Sequence, residues 1–167
     1  PYIVHPFGVA RIIADLGRVD EVMVAAALLH DAVEDTRIEL EDIRRAFGAE
    51  VAMIVDGVTK LDRLRFDSKE HQQAASFRKM LVAMAKDYRV LIIKLCDRLH
   101  NLRTIAALPA WKQERTARET LDIYAPPAHR LGMEELKVQL EDLSFAALHP
   151  KRYAEIDHMV AVRAPER

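Results

Sequence analysis

Apolar residues recur along most of this chain at spacings of three and four, and hardly anywhere at two. That period marks one face of an α-helix. Val9, Ile12, Ile13 and Leu16 form the first such face, with Pro6 suited to its first turn and Gly17 as its stop. Asp20 is a good N-cap for a second helix, predicted over Glu21 to about Glu34. A third is predicted over about Glu39–Phe47, stopped by Gly48, and a fourth over about Glu50–Val58. Thr59 to Ser68 reads as charged and irregular, anchored by Leu61, Leu64 and Phe66. Helices follow over about Lys69–Ala85, Arg89–Leu108 and Trp111–Tyr124, the last two broken by Pro109 and by Pro126-Pro127. Met133–Ala147 and Lys151–Val162 complete the set. No segment alternates as a strand does, and no repeat or low-complexity tract interrupts the pattern. The fold class is all-α.

Two of these helices break their own pattern. In Ala27-Leu-Leu-His-Asp-Ala-Val-Glu-Asp-Thr36, His30, Asp31, Glu34 and Asp35 fall on one side of the helical wheel, within an arc of about 140°. The other side is apolar. Three acids that close repel one another unless a cation or protons lie among them. The simplest occupant is a divalent metal. The second stretch, Val90 to Thr104, is apolar around most of its circumference and reads as a central, buried helix. Yet Lys94, Asp97, Asn101 and Thr104 form a stripe along it. Buried polar groups cost about 1–3 kcal/mol each when unpaired, so the stripe must face a site or a matching polar partner. Asp97 is the natural further oxygen ligand for the first cluster, and Asn101 and Thr104 suit substrate hydrogen bonds. A structural network of Asp97 and Asn101 with Lys94 is the plainer alternative. Arg98 and Arg103 lie off the stripe, placed to flank it or to be solvated, and His100 near its edge suits packing or support of a ligand. His71, His129, His149 and His158 share no ligand spacing and read as structural. Trp111 reads as an anchor between helices, and Lys112, Arg115 and Arg118 as a solvated face.

Composition narrows the partners. The chain has 167 residues, half of them hydrophobic, with five glycines and a net charge of −1. That length holds one domain with an appended helical segment. A nearly neutral chain has no global pull toward nucleic acid or an anionic membrane, so a polyanionic substrate must be held locally. The lone Cys96 forms no intrachain disulfide and lies in an apolar run, which suits a buried thiol in a reducing cytoplasm. No signal peptide or spanning segment is legible. The apolar opening Pro1-Tyr-Ile-Val-His5, without a Met, leads us to expect an upstream element.

His5, then His30-Asp31, then Asp97 resembles the H…HD…D ligand pattern of the HD superfamily of metal-dependent phosphohydrolases. Tyr2-Ile-Val-His-Pro6, Leu28-Leu-His-Asp-Ala-Val-Glu-Asp-Thr36, Gly57-Val-Thr-Lys-Leu61, Asp97-Arg-Leu-His-Asn-Leu-Arg-Thr104 and Ala128-His-Arg-Leu-Gly132 together resemble the hydrolase half of the long RelA/SpoT-type alarmone enzymes. The resemblance implies an HD-domain helical bundle that hydrolyses guanosine tetra- and pentaphosphate to GDP or GTP and pyrophosphate, with one Mn²⁺. It implies that His5, His30, Asp31 and Asp97 hold the metal and that Glu34 and Asp35 position and activate the attacking water. Asn101 and Thr104 would line the nucleotide pocket, with Lys94 and Arg98 as further substrate contacts. Two imidazoles and two carboxylates also suit Mn, Fe, Co or Zn better than Ca or Mg.

The same resemblance divides the chain into residues 1–128, the hydrolase domain, and 129–167, helices leading toward a synthetase domain to which it is normally fused. A helix and a short basic turn are expected before His5, and Pro127 stands where a leucine is expected. Two rival readings share the ligands. One is an HD phosphohydrolase acting on another nucleotide. The other is a catalytically silent helical domain used for regulation, a reading the retained ligand set weighs against.

Overall fold

The structure, a computed structural model, describes residues 2–17, 20–64, 78–79, 81–82 and 86–163. Its elements are α1 (Val4–Asp15), α2 (Glu21–Leu29), α3 (Ala32–Asp35), α4 (Leu40–Phe47), α5 (Ala49–Asp62), α6 (Tyr88–Arg103), α7 (Ala110–Glu119), α8 (Ala125–Arg130), α9 (Glu134–Leu148) and α10 (Pro150–Arg163). Among the described residues there is no strand. The expected helix over Lys69–Ala85 lies almost wholly outside the described residues. Among the described residues no helix is long and apolar enough to cross a membrane.

The chain divides into two compact units, Pro1–His100 and Asn101–Arg167. This division falls inside α6, whereas the sequence boundary at 128/129 marks the end of the motif-bearing stretch. In the first unit α1 packs on α2, and α5 packs on both α2 and α4. Val9, Ile13, Met23, Ala26, Ile43, Val55 and Val58 fill the space between them, joined by Ile93, Leu95, Cys96 and Leu99 of α6. Cys96 is buried and forms no disulfide, as its apolar surroundings in sequence indicated. Gly57 lets α6 come close to α5: a Cβ there would stand 2.7 Å from Cγ2 of Val90. Arg89 locks the base of the unit. Its guanidinium lies 2.8 Å from Asp87, 2.6 Å from Glu50 of α5 and 3.7 Å from Asp20. Asp20 also caps α2, accepting from the Met23 amide at 2.8 Å.

Three sequence expectations need correction here. The second helix does not run through to Glu34; it stops at Leu29 and restarts at Ala32. The fourth does not end at Val58; Leu61 continues its buried row at the right helical spacing, and the helix extends to Asp62. Pro126 and Pro127 do not end the helix before them. A single π-helical stretch, Thr120–Tyr124, widens the turn, and both prolines sit in the opening turn of α8, where a missing N–H costs nothing.

In the second unit α9 packs on α7, α8 and α10. Ala117, Ile123, Ala125, Ala128, Leu136 and Leu140 form its core. Gly132, at φ 67°, closes α8 in the left-handed region, and the Met133 amide donates back to Ala128 at 3.0 Å. Trp111 is not an inter-helix anchor: it is 62% exposed, with Lys112 Nζ 5.3 Å from its ring. Arg115 and Arg118 pair with Glu119 and Glu114 on the same helix, as a solvated face does.

The close approach at Gly57 makes a stability prediction. Gly57→Ala should destabilise the protein by about 1–2 kcal/mol in denaturant unfolding, overpacking outweighing alanine's better helix propensity. Adding Val90→Ala should remove the overlap and reduce the penalty caused by Gly57→Ala.

Candidate metal centre

The centre of the first unit is built on Asp97, which α6 carries into the core at 6% exposure. Its Oδ1 lies 2.7 Å from Nε2 of His5 and 3.7 Å from Nε2 of His30. Its Oδ2 lies 3.0 Å from Nζ of Lys94. Asp31 stands at the edge of the group, its Oδ2 3.1 Å from His30 Nε2 and 3.9 Å from His5 Nε2, outside the set of His5, His30 and Asp97 donors that lie within 4.8 Å of one another. Burial pushes the Asp97 carboxyl up, but Lys94, His30 and His5 more than reverse this, holding it well below the usual carboxylate range.

His30 explains the break between α2 and α3. Its Nδ1–H donates to the carbonyl of Ala27 at 2.6 Å, competing within the last turn for the helix's own acceptors. The chain turns at Asp31 and restarts as α3. The helical-wheel expectation that His30 lies on a face away from the core is therefore wrong: it is buried, at 1% exposure. The same hydrogen bond fixes its tautomer. With a proton on Nδ1, Nε2 is the atom left to face Asp31 and Asp97, and among the described residues it has no aligned hydrogen-bond partner. Burial lowers the pKa of His30, yet the Asp31 and Asp97 carboxylates outweigh it and raise it to about 10. The site thus demands a positive charge at this nitrogen.

A metal ion meets that demand. Donors held about 2.0–2.2 Å from one ion lie about 3–4 Å from each other. The four atoms contributed by His5, His30, Asp31 and Asp97 have near-neighbour separations of 2.7–3.9 Å, and His5, His30 and Asp97 alone place three donors within 4.8 Å of one another. The residues present therefore fit a divalent ion with mixed nitrogen and oxygen ligands.

Around this group stand three further acids, Glu34, Asp35 and Asp62, and a bridging cation. Glu34 is exposed on α3; partial desolvation and the nearby charges of Asp62, Asp31 and Asp35 raise its pKa against the opposing pull of Arg63. Asp35 is exposed and accepts a 2.9 Å hydrogen bond from the Tyr2 hydroxyl. Lys94 spans Asp97 and Asp62, 2.6 Å from the latter. Burial raises the Asp62 pKa, with Lys94 opposing. Arg98 is half-buried on the same helix. Asn101 and Thr104 open the second unit, where both are exposed and the Thr104 hydroxyl donates to the Asn101 carbonyl at 3.3 Å.

The sequence reading missed Asp62 and Tyr2, and left His100 between packing and support of a ligand. Asp62 was hidden by the expectation that Thr59–Ser68 is irregular, although Leu61 continuing the row of Ile54, Val55 and Val58 was the available signal. Tyr2 stood in a quoted motif with no role. His100 lies 2.7 Å from His5 through their Nδ1 atoms.

Comparison with known proteins agrees with this geometry. The family model described as "HD domain" matches residues 1–134. The chain is 60% identical over 167 residues to a GTP pyrophosphokinase of Streptomyces coelicolor, covering all of this chain and 19% of that protein. It is 53% identical over 167 residues to a guanosine-3′,5′-bis(diphosphate) 3′-pyrophosphohydrolase of Haemophilus influenzae, covering all of this chain and 24% of that one. The chain thus spans a fifth to a quarter of the length of these relatives. Among solved structures, a metazoan ortholog of SpoT, described as hydrolysing ppGpp and playing a role in starvation responses, superposes with a TM-score of 0.55. It is 26% identical, over 98% of this chain and 82% of that one.

Lys94 is the neutralising partner of two largely buried carboxylates. Lys94→Met should destabilise the metal-free protein by about 2–3 kcal/mol in urea unfolding, because Asp62 and one oxygen of Asp97 lose their counter-charge. An unchanged midpoint would show that this bridge contributes nothing.

Proposed function

The chain belongs to the HD domain family, and from that premise we propose that it is a metal-dependent guanosine-3′,5′-bis(diphosphate) 3′-pyrophosphohydrolase. It would convert guanosine tetra- or pentaphosphate and water to GDP or GTP and pyrophosphate, an activity of the stringent response. The observation that carries the reading is the convergence of two imidazole nitrogens and two carboxylates beside a carboxylate of raised pKa. The Haemophilus influenzae relative and the SpoT ortholog support the substrate.

His5, His30, Asp31 and Asp97 would hold one divalent ion; the mixture of donors suits Mn, Fe, Co or Zn, and Mn²⁺ is the ion that the resemblance to the RelA/SpoT-type hydrolases implies. When bound, such an ion supplies Lewis-acid charge that makes water more acidic and polarises a phosphoryl oxygen. The chain's residues do the rest. Glu34, whose pKa is raised by desolvation and neighbouring acids, takes a proton from the attacking water. Asp35, held by Tyr2, orients that water. Attack at phosphorus breaks its bond to the ribose 3′-oxygen, and that oxygen receives a proton. Lys94 and Arg98 bring positive charge toward the phosphates, and Asn101 and Thr104 hydrogen-bond the nucleotide.

The setting we propose is cytoplasmic. A buried cysteine outside any disulfide and the lack, among the described residues, of a helix fit to cross a membrane are consistent with it. The fraction of each relative that is matched fits a hydrolase domain working in a longer protein fused to a synthetase domain. With a net charge of −1, the domain has no global attraction to nucleic acid, and we propose that it makes no direct use of it.

Pyrophosphate release from guanosine tetraphosphate with Mn²⁺ tests the assignment. Asp31→Ala should lose activity together with metal. Glu34→Gln should keep the metal and lower kcat by about 10²–10⁴-fold. Full activity in either variant contradicts the roles given, and turnover of another nucleotide in preference to this one contradicts the substrate.

A further inference from the structure

We propose that His100 is a positioning residue that aims His5 at the metal centre through a hydrogen bond between their Nδ1 atoms. The inference rests on the metal reading above. The two Nδ1 atoms are 2.7 Å apart, and the rings meet edge-on with centroids 4.7 Å apart and 60° between their planes. Imidazole nitrogens that close share one proton, because two facing lone pairs or two facing N–H groups repel. His5 Nε2 meets Asp97 Oδ1 at 2.7 Å at the same time. The ring is therefore gripped at both nitrogens and cannot turn about its own axis. Both grips come from α6, since Asp97 and His100 are three residues apart on one helical face.

A second observation comes from α1. A Cβ at Gly8 would overlap the imidazole of His100. Gly8 stands three residues after His5, so α1 contributes both the ring that is aimed and the gap that seats its support. The His5–Gly8 and Asp97–His100 pairs thus interlock. With a metal at Nε2 of His5, that ring carries its proton on Nδ1 and His100 Nδ1 accepts it. Hydrogen bonds of this kind, to the far nitrogen of a ligating histidine, fix its orientation, and losing one typically costs 10–100-fold in metal affinity.

The test is a Mn²⁺ titration of the protein, wild type against His100→Ala and His100→Asn, following the electron paramagnetic resonance signal of free Mn²⁺. Asparagine keeps a polar atom near the position of Nδ1. His100→Ala should weaken binding by about 10–100-fold, with helical content by circular dichroism unchanged, and His100→Asn should recover most of the loss. Wild-type affinity in His100→Ala would overturn the proposal, as would equal weakening by alanine and asparagine, which marks simple packing. A wild type that binds no Mn²⁺ would instead remove the metal reading itself. If His100→Ala fails to fold, the Zn²⁺-loaded wild type decides by nuclear magnetic resonance. A ¹⁵N–¹⁵N coupling between the Nδ1 atoms of His5 and His100 supports the bond, and its absence overturns it.

Discussion

A carboxylate in the middle of a hydrophobic helix must be neutralised where it stands. Asp97 lies between Cys96 and Leu99 in the core, at 6% exposure, and a buried unpaired charge costs several kcal/mol. Much of the first unit follows from that constraint. Lys94, one turn earlier, takes one oxygen, and His5 takes the other. To bring them together, α1 must lie close to α6, which needs Gly8; to give Lys94 its second acid, α5 must run on to Asp62 beside α6, which needs Gly57. The glycines, the ion pairs and the site are consequences of one placement.

The break at His30–Asp31 divides the labour among the acids. Had α2 continued, the four polar residues would have shared one face in one environment. Instead the Ala27 carbonyl draws His30 into the core, Asp31 turns toward it, and the single turn of α3 sets Glu34 and Asp35 at the more open rim. The environments then push the carboxylates apart. Asp97, facing cations, stays ionised, while Glu34, facing other acids, has a raised pKa. Groups separated in this way are suited to different roles, one to hold charge and the other to accept a proton.

The sequence made the helical class legible because periods of three and four persist through most of the chain. The candidate cluster was legible because imidazoles and carboxylates stand out against apolar neighbours at His30, Asp31 and Asp97. What escaped reading has physical reasons. A side chain competing for a backbone carbonyl, as His30 does, leaves no mark on a helical wheel. Pro126-Pro127 looks like a terminator unless the turn before it is known to be π-helical. Asp62 and Tyr2 act through contacts with Lys94 and Asp35 from distant parts of the chain, which no local pattern encodes. Trp111 shows that a large apolar residue on a helix is not by itself evidence of a core position.

The central claim is that His5, His30, Asp31 and Asp97 form one metal site. Anomalous diffraction at the manganese edge, from crystals of the protein grown with Mn²⁺, addresses it directly. The account predicts one strong peak bounded by Nε2 of His5, Nε2 of His30 and the carboxylates of Asp31 and Asp97. A peak elsewhere, or none at this cluster, would contradict it.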